Sequence, residues 1–449
     1  MANLVQTIRG IILENQSYMR RGDYWPRLMQ VERIKGKATV ITGIRRCGKS
    51  VYEKLYMHSL LEGGISEENI CELDFSDDRL LDLRIEEPDL VAEAYYGIFP
   101  EKADEKVWFF FDEIQYLNHW ELFVNRLQNT RDCEVNITGS SAKLLVREIA
   151  TELGGRSLPW ELFPFSFEEF LETKEDAAKY RRAGHISPDS ARMCRKYFEE
   201  YCRTGGFPES IMMTEHGTRV RYLQNLAETV VFRDVVARYG LNNPNAVYRQ
   251  MQMLLGCMSS LISYTKLKKR LGAEQYRVSV EMVKQVTNYF EDAYMIFSVE
   301  VLSLNTAVRN TNPRKIYCVD HRLAMSVSGV LTEDIGKILE NLVFVHLRRR
   351  TDLIFYAKTP EGYEVDFAVL PRGDRITEKC RPELIQVCAD LTEPETMKRE
   401  IRALRSGMRQ YKKDTGTIVT WDAEDEWNCD EGIIKAVPAW KYLRGQGIV

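Results

Sequence analysis

The sequence predicts an α/β protein whose first third is built on a parallel sheet. Three short apolar runs carry this prediction, at residues 38–42, 107–111 and 134–137. Apolar runs of this length without polar alternation are typical of strands buried on both faces of a parallel sheet. Each run is followed by glycine, acidic or hydroxyl residues. Because open α/β sheets bind ligands at the carboxyl ends of their strands, we expect a ligand site there.

The first run leads into a loop with the pattern G-x-x-x-x-G-K-S, and a segment of helical character follows it. Glycines let such a loop wrap around an anion with its N–H groups pointing inward, and the helix N-terminus adds a positive dipole end. Lys49 is expected to reach the β- and γ-phosphates of a nucleotide, and the Ser50 hydroxyl to hold Mg²⁺. A chance glycine-rich turn before a helix is the alternative. The predicted nucleotide-binding residues of this loop are Gly43, Ile44, Arg45, Arg46, Cys47, Gly48, Lys49, Ser50 and Val51.

The second run ends in the acidic pair Asp112-Glu113. Asp112 is suited to hold Mg²⁺, directly or through water. Glu113 is suited to polarise the attacking water as a general base. Solvated acids at an ordinary strand end are the alternative. After a phosphate-binding loop, the pair favours nucleotide hydrolysis.

The third run is followed by Thr138, Gly139, Ser140 and Ser141. These hydroxyl groups are placed to sense the γ-phosphate or to orient the water. A turn that caps the next helix explains them equally well.

Length and composition bound the remaining possibilities. The 449 residues predict about three domains, and 62 basic and 66 acidic side chains argue neither for nor against nucleic acid. The ten cysteines form no C-x-x-C pair, which favours reduced thiols over a zinc or disulfide framework. No signal pattern and no apolar stretch long enough to cross a bilayer is present, so we expect a cytoplasmic protein without a membrane contact.

The region before and after the predicted sheet looks helical. Residues 1–37 are amphipathic and are expected to form a helix that packs on the nucleotide-binding core. Farther along the chain, an arginine that stabilises charge in phosphoryl transfer is expected, and Arg156, which follows two glycines, is the preferred candidate. Arg147 and Arg233 are the others, and a solvated or salt-bridge role is open for all three. Pro208 is expected either in the first turn of a helix or packed on the adenine ring.

Residues 245–303 show helical spacing, a Ser-capped helix, a glycine turn, another helix and then an apolar pair of strands, which predicts a winged helix. The segment has a basic face that would suit DNA phosphates, a protein partner or solvent. Its basic residues are Lys266, Lys268, Lys269, Arg270 and Lys284. Residues 313–449 read as a further α/β domain.

Taken together, these motifs resemble the prokaryotic AAA-type ATPases that carry a C-terminal DUF4143 domain. The resemblance covers nearly the whole chain. It implies a P-loop NTPase core of AAA type, a helical lid, a winged-helix domain and a restriction-endonuclease-like α/β domain, together with ATP binding and hydrolysis. The expected boundaries are 1–170 for the core with its N-terminal helix, 171–244 for the lid, 245–312 for the winged helix and 313–449 for the DUF4143 domain. The motifs that carry it are 42–50, 111–115, 138–141, 205–209, 340–341, 363–367 and 385–387.

Active members of the nuclease-like fold use two acids and then an acid-x-lysine, with Mg²⁺ held by the carboxylates. Glu340 and Asp366 fit the acidic positions, but the last motif reads Gln386-Val387-Cys388. Because glutamine is a poorer magnesium ligand and cysteine does not replace the lysine cation, we expect a degenerate domain used for binding or assembly.

The sequence therefore predicts an Mg²⁺-dependent ATPase whose nucleotide state moves the winged-helix and C-terminal domains. The absence of an Asn-Lys-x-Asp motif agrees with ATP rather than GTP. Three further hypotheses remain: a nucleotide-gated binder of duplex DNA, a switch acting on a protein partner with or without homo-oligomerisation, and redox sensitivity through Cys47, whose position in the anion loop would favour a thiolate.

Overall fold

A computed structural model describes residues 2–81, 88–139, 157–176, 187–329 and 334–444. The chain divides into two compact units, Met1–Phe163 and Pro164–Val449. Helices and strands are numbered here in chain order through the described residues.

The first unit is built on a five-stranded sheet in the order β2-β3-β4-β1-β5, with every neighbouring pair parallel. The three predicted strands are present as β1, β3 and β4, which confirms the parallel-sheet core. Two further strands, β2 and β5, were not predicted, because acidic residues interrupt the apolar residues of β2 and Pro159 lies in β5. The strands are Ala38–Thr42 (β1), Ile70–Asp74 (β2), Val107–Asp112 (β3), Cys133–Gly139 (β4) and Ser157–Glu161 (β5).

Helices pack against this sheet, and their buried apolar side chains form one core with those of the strands. Buried residues of α1, including Ile8 and Ile12, belong to the same core cluster as Phe109 of β3. Each such side chain contributes about 1.5–3 kcal/mol by leaving water. The helices of this unit are Ala2–Tyr18 (α1), Lys49–Glu62 (α2), Leu90–Ile98 (α3) and Trp120–Thr130 (α4), with 3₁₀ turns at Glu67–Asn69, Asp78–Leu80, Pro100–Asp104 and Ile114–Tyr116.

The first helix is shorter than predicted. It ends at Tyr18, and the chain from there to residue 37 forms no further helix, so the prediction of a helix through residue 37 was wrong in its second half. Gly22 adopts a φ of +109°, which a helix does not tolerate. Pro26 also disfavours helical backbone at the residue before it.

The second unit begins with helices whose N-termini are capped by serine. Ser166 and Glu169 form a reciprocal capping box at α5, and the Ser187 side chain accepts a hydrogen bond from Ser190 N at α6. A π-helical stretch, Val230–Ala237, follows directly after α8. The helices are Phe167–Glu172 (α5), Pro188–Thr204 (α6), Pro208–Met212 (α7) and His216–Thr229 (α8).

Next come four helices and a three-stranded antiparallel sheet in the order β6-β8-β7. Ser263 caps α10 by accepting a hydrogen bond from Lys266 N, as the sequence predicts. The sequence-based boundary at residue 312 falls before β8, and therefore separates this strand from the two strands with which it pairs. The elements are Pro244–Leu255 (α9), Ser260–Ile262 (β6), Tyr264–Ala273 (α10), Val280–Asp292 (α11), Ile296–Val299 (β7), Thr306–Thr311 (α12) and Arg314–Cys318 (β8).

The remainder of the second unit contains a mixed six-stranded sheet in the order β13-β14-β12-β11-β10-β9. Strands β11, β12 and β14 pair in parallel, and the other pairs are antiparallel. No helix within the described ranges is long and apolar enough to span a membrane. The elements are His321–Ser328 (α13), Ile335–Arg350 (α14), Ile354–Lys358 (β9), Glu364–Val369 (β10), Glu383–Val387 (β11), Pro394–Tyr411 (α15), Thr415–Thr420 (β12), Asp425–Cys429 (β13), Gly432–Pro438 (β14) and Ala439–Tyr442 (α16).

Candidate nucleotide-binding site

The loop between β1 and α2 has a backbone that requires its glycines. Gly43 has a φ of +155°, and a Cβ atom there would lie 2.2 Å from the Leu162 carbonyl oxygen. Gly48, at the N-cap of α2, has a φ of +101°. Arg46 is exposed and also adopts a positive φ, of 66°. The loop therefore curls tightly at the carboxyl end of a fully buried strand, in front of a helix N-terminus that attracts anions.

Lys49 is the first residue of α2, and its side chain folds back over the loop. It is only 5% exposed, and its ammonium group donates hydrogen bonds to Gly43 O at 3.1 Å and Ile44 O at 3.2 Å. Within the described residues Lys49 makes no ion pair. A buried cation with neutral partners retains an uncompensated charge, which suits an anionic ligand such as a phosphate.

The structure brings together Ser50 and Asp112, the two predicted metal ligands. Ser50 Oγ donates to Asp112 Oδ2 at 2.5 Å. The other carboxylate oxygen, Oδ1, accepts hydrogen bonds from Thr138 Oγ1 and, at 3.0 Å, from Glu113 N. A hydroxyl and a carboxylate held in this way offer the oxygen ligands that Mg²⁺ prefers. Thr138, from the predicted hydroxyl cluster, orients the acid.

Glu113 lies directly beyond the end of β3 in left-handed backbone, with a φ of 50°. For a residue other than glycine this conformation is uncommon and carries strain, which often accumulates at functional sites. Gln115 Nε2 donates to Glu113 Oε2 and so fixes the carboxylate. The side chain is half-buried at the same sheet edge as Asp112.

Two residues of this site were missed by the sequence analysis. Arg27 is 9% exposed and donates to Cys47 O at 2.9 Å and to Phe163 O at 2.6 Å. The first of these hydrogen bonds stabilises the backbone of the phosphate-binding loop. Glu53 is 4% exposed, and neither of its carboxylate oxygens has a hydrogen-bond partner among the described residues. Burial, together with the nearby Asp112, Glu134 and Glu72, raises the pKa of Glu53 to about 8, although Arg33 opposes the shift. The spacing of Glu53, one helical turn after Ser50, was the only available signal.

The expectation that Cys47 favours a thiolate was wrong. Its side chain is fully buried, and burial raises the pKa of the thiol above its usual value, despite the opposing effect of Lys49 and Arg27. Each of the ten cysteines is a free thiol.

The remaining predicted residues are scattered or lie outside the described residues. Val51 follows Ser50 in the first turn of α2, and Arg45 is half-buried in the loop. Pro208 is the first residue of α7 in the second unit, where it starts that helix. Arg233 is exposed within the π-helical stretch of the second unit. The candidates outside the described residues are Arg147, Arg156, Ser140 and Ser141.

In the second unit, the predicted acids Glu340 and Asp366 lie together, and a lysine that the sequence analysis did not identify lies between them. Lys315 of β8 donates to both, at 3.1 and 2.7 Å. Lys315 lies on β8, 73 positions before Cys388 in the sequence. Gln386 is 7% exposed, accepts from Asp366 N and donates to Glu400 Oε2.

Comparison with known families agrees with this geometry. The profile of the AAA domain family matches residues 35–171, which include the loop, the acidic pair and Thr138. With the parallel sheet, this match identifies residues 35–171 as an AAA-type P-loop domain. A domain of unknown function, DUF8612, matches residues 195–334, and the resemblance to DUF4143 is not among the matches.

The chain belongs to the same family as the uncharacterised protein MJ1544 of Methanocaldococcus jannaschii. The two are 31% identical over 442 residues, which cover 96% of this chain and 94% of that protein. An uncharacterised protein of Haemophilus influenzae is 28% identical over 75% of this chain and 80% of its own length. Among solved structures, the chain is similar to the Walker-type ATPase paby2304 of Pyrococcus abyssi, with 14% identity, 65% of this chain and 90% of that chain covered, and a TM-score of 0.41.

Proposed function

We propose that this protein binds ATP with Mg²⁺ and hydrolyses it at the carboxyl ends of the strands of the parallel sheet. The observation that carries the proposal is the contact between Ser50 and Asp112, which joins the phosphate-binding loop to the acidic strand end. Two separate motifs thus supply one oxygen-lined position beside a buried, uncompensated lysine. A chance glycine turn does not account for this convergence.

Each residue has a distinct task in the proposed reaction. The loop N–H groups and Lys49 would bind the phosphates, and Ser50 and Asp112 would hold Mg²⁺, which would neutralise charge on the phosphate oxygens. Glu113 takes a proton from water while the water oxygen bonds to the γ-phosphorus. The bond from that phosphorus to the bridging oxygen breaks, giving ADP and phosphate. An arginine from elsewhere in the chain or from a second copy, for which Arg156 is the preferred candidate, would stabilise the transferring group.

Nucleotide state is proposed to act on the rest of the chain. Contacts made with the γ-phosphate but not after its release are what bias a switch between two conformations. That switch is proposed to control binding to a protein partner or to a second copy of the chain.

A second candidate function is binding of duplex DNA through a winged helix at residues 245–312. Helices α9, α10 and α11 support it, together with the antiparallel sheet β6-β8-β7, whose strand β8 lies just beyond residue 312. An exposed basic face on α10 and α11 supports it as well. Lys266, Lys268, Lys269 and Lys284 make no ion pair among the described residues. Uncompensated lysines on one face suit a phosphate backbone.

The test is steady-state ATP hydrolysis with Mg²⁺, with and without duplex DNA, for the parent and two variants. Lys49→Ala is expected to abolish nucleotide binding. Glu113→Gln is expected to retain binding and lose turnover by about 100- to 10,000-fold, as removal of a general base does. Unimpaired hydrolysis by Glu113→Gln removes this residue from the mechanism.

DNA enters the same experiment as a variable. Stimulation by duplex DNA that disappears in a Lys266→Ala/Lys268→Ala/Lys269→Ala variant supports the winged-helix function. Each lysine lost is expected to lower the salt dependence of binding by about one unit of slope. DNA binding that persists in this variant refutes the winged-helix assignment, and slow turnover without a DNA response favours a switch acting on a protein.

A further inference from the structure

The most unusual charged group of the second unit is Lys315 of β8. Its side chain is 4% exposed, and its ammonium nitrogen lies 2.7 Å from Asp366 Oδ1, 2.9 Å from Glu364 Oε1 and 3.1 Å from Glu340 Oε1. An ammonium group has three N–H donors. Two of these donors are used in hydrogen bonds to Glu340 and Asp366, and Glu364 adds an ion pair, so the charge of the lysine is compensated inside the fold.

Three elements bring these groups together. Glu364 and Asp366 are two residues apart on β10 and both contact Lys315, while Glu340 comes from α14. Lys315 reaches them from β8 of the small sheet. The cluster thus joins the three-stranded sheet, α14 and the six-stranded sheet through one cation.

The acids are also held by groups other than Lys315. Tyr317 OH donates to Glu340 Oε1 at 2.6 Å, and Val387 N donates to Asp366 Oδ2 at 3.0 Å. Three carboxylates fixed around one point are the oxygen environment that divalent cations receive in proteins. Without a cation, buried carboxylates repel one another and lose hydration.

We propose that Lys315 is a built-in cation that takes the place of a divalent metal ion among Glu340, Glu364 and Asp366, so that the native protein binds no metal there and removal of the lysine opens a metal site. Lys315 thereby supplies the positive charge that a bound metal ion would otherwise supply to these carboxylates. The cluster serves to hold the two sheets and α14 together. It does not serve metal-assisted hydrolysis.

Charge and neighbouring contacts support this role. Burial by itself lowers the pKa of Lys315, but Asp366, Glu340 and Glu364 together raise it well above the usual value, so the lysine stays charged. The neighbouring Gln386 is occupied with Asp366 N and Glu400, and does not add a ligand to the cluster.

An alternative is that Lys315 orients water in a metal-dependent cleavage of nucleic acid. That role requires a donor free to contact water or a scissile phosphate, and a metal ion on the same carboxylates. In the structure Lys315 hydrogen-bonds to Glu340 and Asp366 and pairs with Glu364, so its ammonium group lies among the carboxylates that the metal would need. The two roles therefore differ in whether the parent protein takes up a metal through Asp366.

The test measures Mn²⁺ uptake by full-length, nucleotide-free protein, from the loss of the free Mn²⁺ signal in electron paramagnetic resonance. All proteins carry Ser50→Ala, so that the phosphate-binding loop does not contribute. Lys315→Ala is expected to bind one Mn²⁺ more per chain than its parent, and Lys315→Ala/Asp366→Asn is expected to lose it. Lys315→Met, which fills the space without a charge, and Lys337→Ala, which removes an exposed lysine on α14, are expected to gain no Mn²⁺.

Thermal unfolding gives an independent readout. Lys315→Ala is expected to unfold at a lower temperature than the parent and to recover by about 5–10 °C at Mn²⁺ concentrations about 100-fold above Kd. The parent is expected to respond neither to Mn²⁺ nor to a chelator. A Lys315→Ala chain that folds only when Mn²⁺ is present also supports the proposal.

Three results would overturn the proposal. The first is Mn²⁺ uptake by the parent that Asp366→Asn abolishes, or Mn²⁺-dependent cleavage of plasmid DNA that Asp366→Asn abolishes. The second is a folded Lys315→Ala protein that binds no more Mn²⁺ than its parent. The third is a Lys315→Ala chain that stays unfolded both with and without Mn²⁺. None of these results depends on whether the protein hydrolyses ATP.

Discussion

Glu53 offers a prediction whose size follows from its surroundings. Its carboxyl group is 4% exposed in α2 and both oxygens lack hydrogen-bond partners among the described residues. Burial is the largest cause that raises its pKa, from 4.5 to about 8. A difference of about 3.5 pKa units corresponds to about 5 kcal/mol of preference for the protonated form, and water entry on ionisation makes this an upper bound.

The sign of the effect follows from proton binding. Because the folded-state pKa lies above the unfolded value, the folded state binds more protons between about pH 4.5 and pH 8. The stability that protonated Glu53 allows is fully present below pH 4.5 and is lost as the pH rises through about 8. Glu53→Gln has nearly the same shape and never ionises. The free energy of unfolding of the variant relative to the parent is therefore expected to increase by about 2–5 kcal/mol between pH 5 and pH 9.

The assay is urea denaturation at pH 5, 7 and 9 without nucleotide or divalent cations. Hydrogen exchange of the α2 amides, followed in parallel, assigns the change to the first unit. Glu62→Gln is the matched control, because Glu62 is an exposed acid at the end of the same helix and is expected to cause little pH-dependent change. A difference between Glu53→Gln and the parent that stays constant from pH 5 to pH 9 would refute the reasoning.

Three other predictions concern the phosphate-binding loop. Gly43→Ala places a Cβ atom 2.2 Å from Leu162 O at a φ of +155°. It is expected to lower the free energy of unfolding by about 1–3 kcal/mol and to weaken nucleotide binding in calorimetric titration. The control Gly10→Ala in α1, which has open space around it, is expected to be neutral or stabilising. Arg27→Met strands the buried carbonyl of Cys47 and is expected to lower stability by about 1–3 kcal/mol and to weaken nucleotide binding, so unchanged binding would remove Arg27 from the site. Because the Cys47 thiol is buried and its pKa is raised, peroxide is expected to inhibit the parent and Cys47→Ser equally, and mass spectrometry that finds rapid oxidation of Cys47 in the parent would contradict this expectation.

The parallel core could be predicted because its signals are local. Each of the runs that form β1, β3 and β4 is an unbroken stretch of sequence, and the motif at residues 43–50 is sufficient by itself to predict the phosphate-binding loop. Because parallel strands align their carboxyl ends, the approach of Ser50 to Asp112 follows from topology, although 62 residues separate them. Prediction was weaker where strands carry mixed residues, as in β2 and β5.

The supporting residues could not be predicted, because their roles depend on packing. Nothing in the sequence around Arg27 indicates that its side chain turns inward to two carbonyl groups. Apart from its spacing from Ser50, nothing in the sequence distinguishes Glu53, and only the structure shows that its face of α2 is buried. The end of α1 could not be predicted either, because helix propensity alone does not indicate the positive φ angle that Gly22 adopts.

Lys49 and Lys315, two of the three lysines that are buried among the described residues, show why residue type alone does not assign a role. Each is about 5% exposed, so each ammonium group must be compensated. Lys49 contacts two neutral carbonyl groups, and its charge remains for a ligand to neutralise. Lys315 contacts three carboxylates, one of them 51 residues away in sequence, and its charge is already consumed inside the fold. The partners of a buried cation therefore decide whether it binds a substrate or replaces a metal, and for Lys315 those partners become apparent only when β8, α14 and β10 have come together.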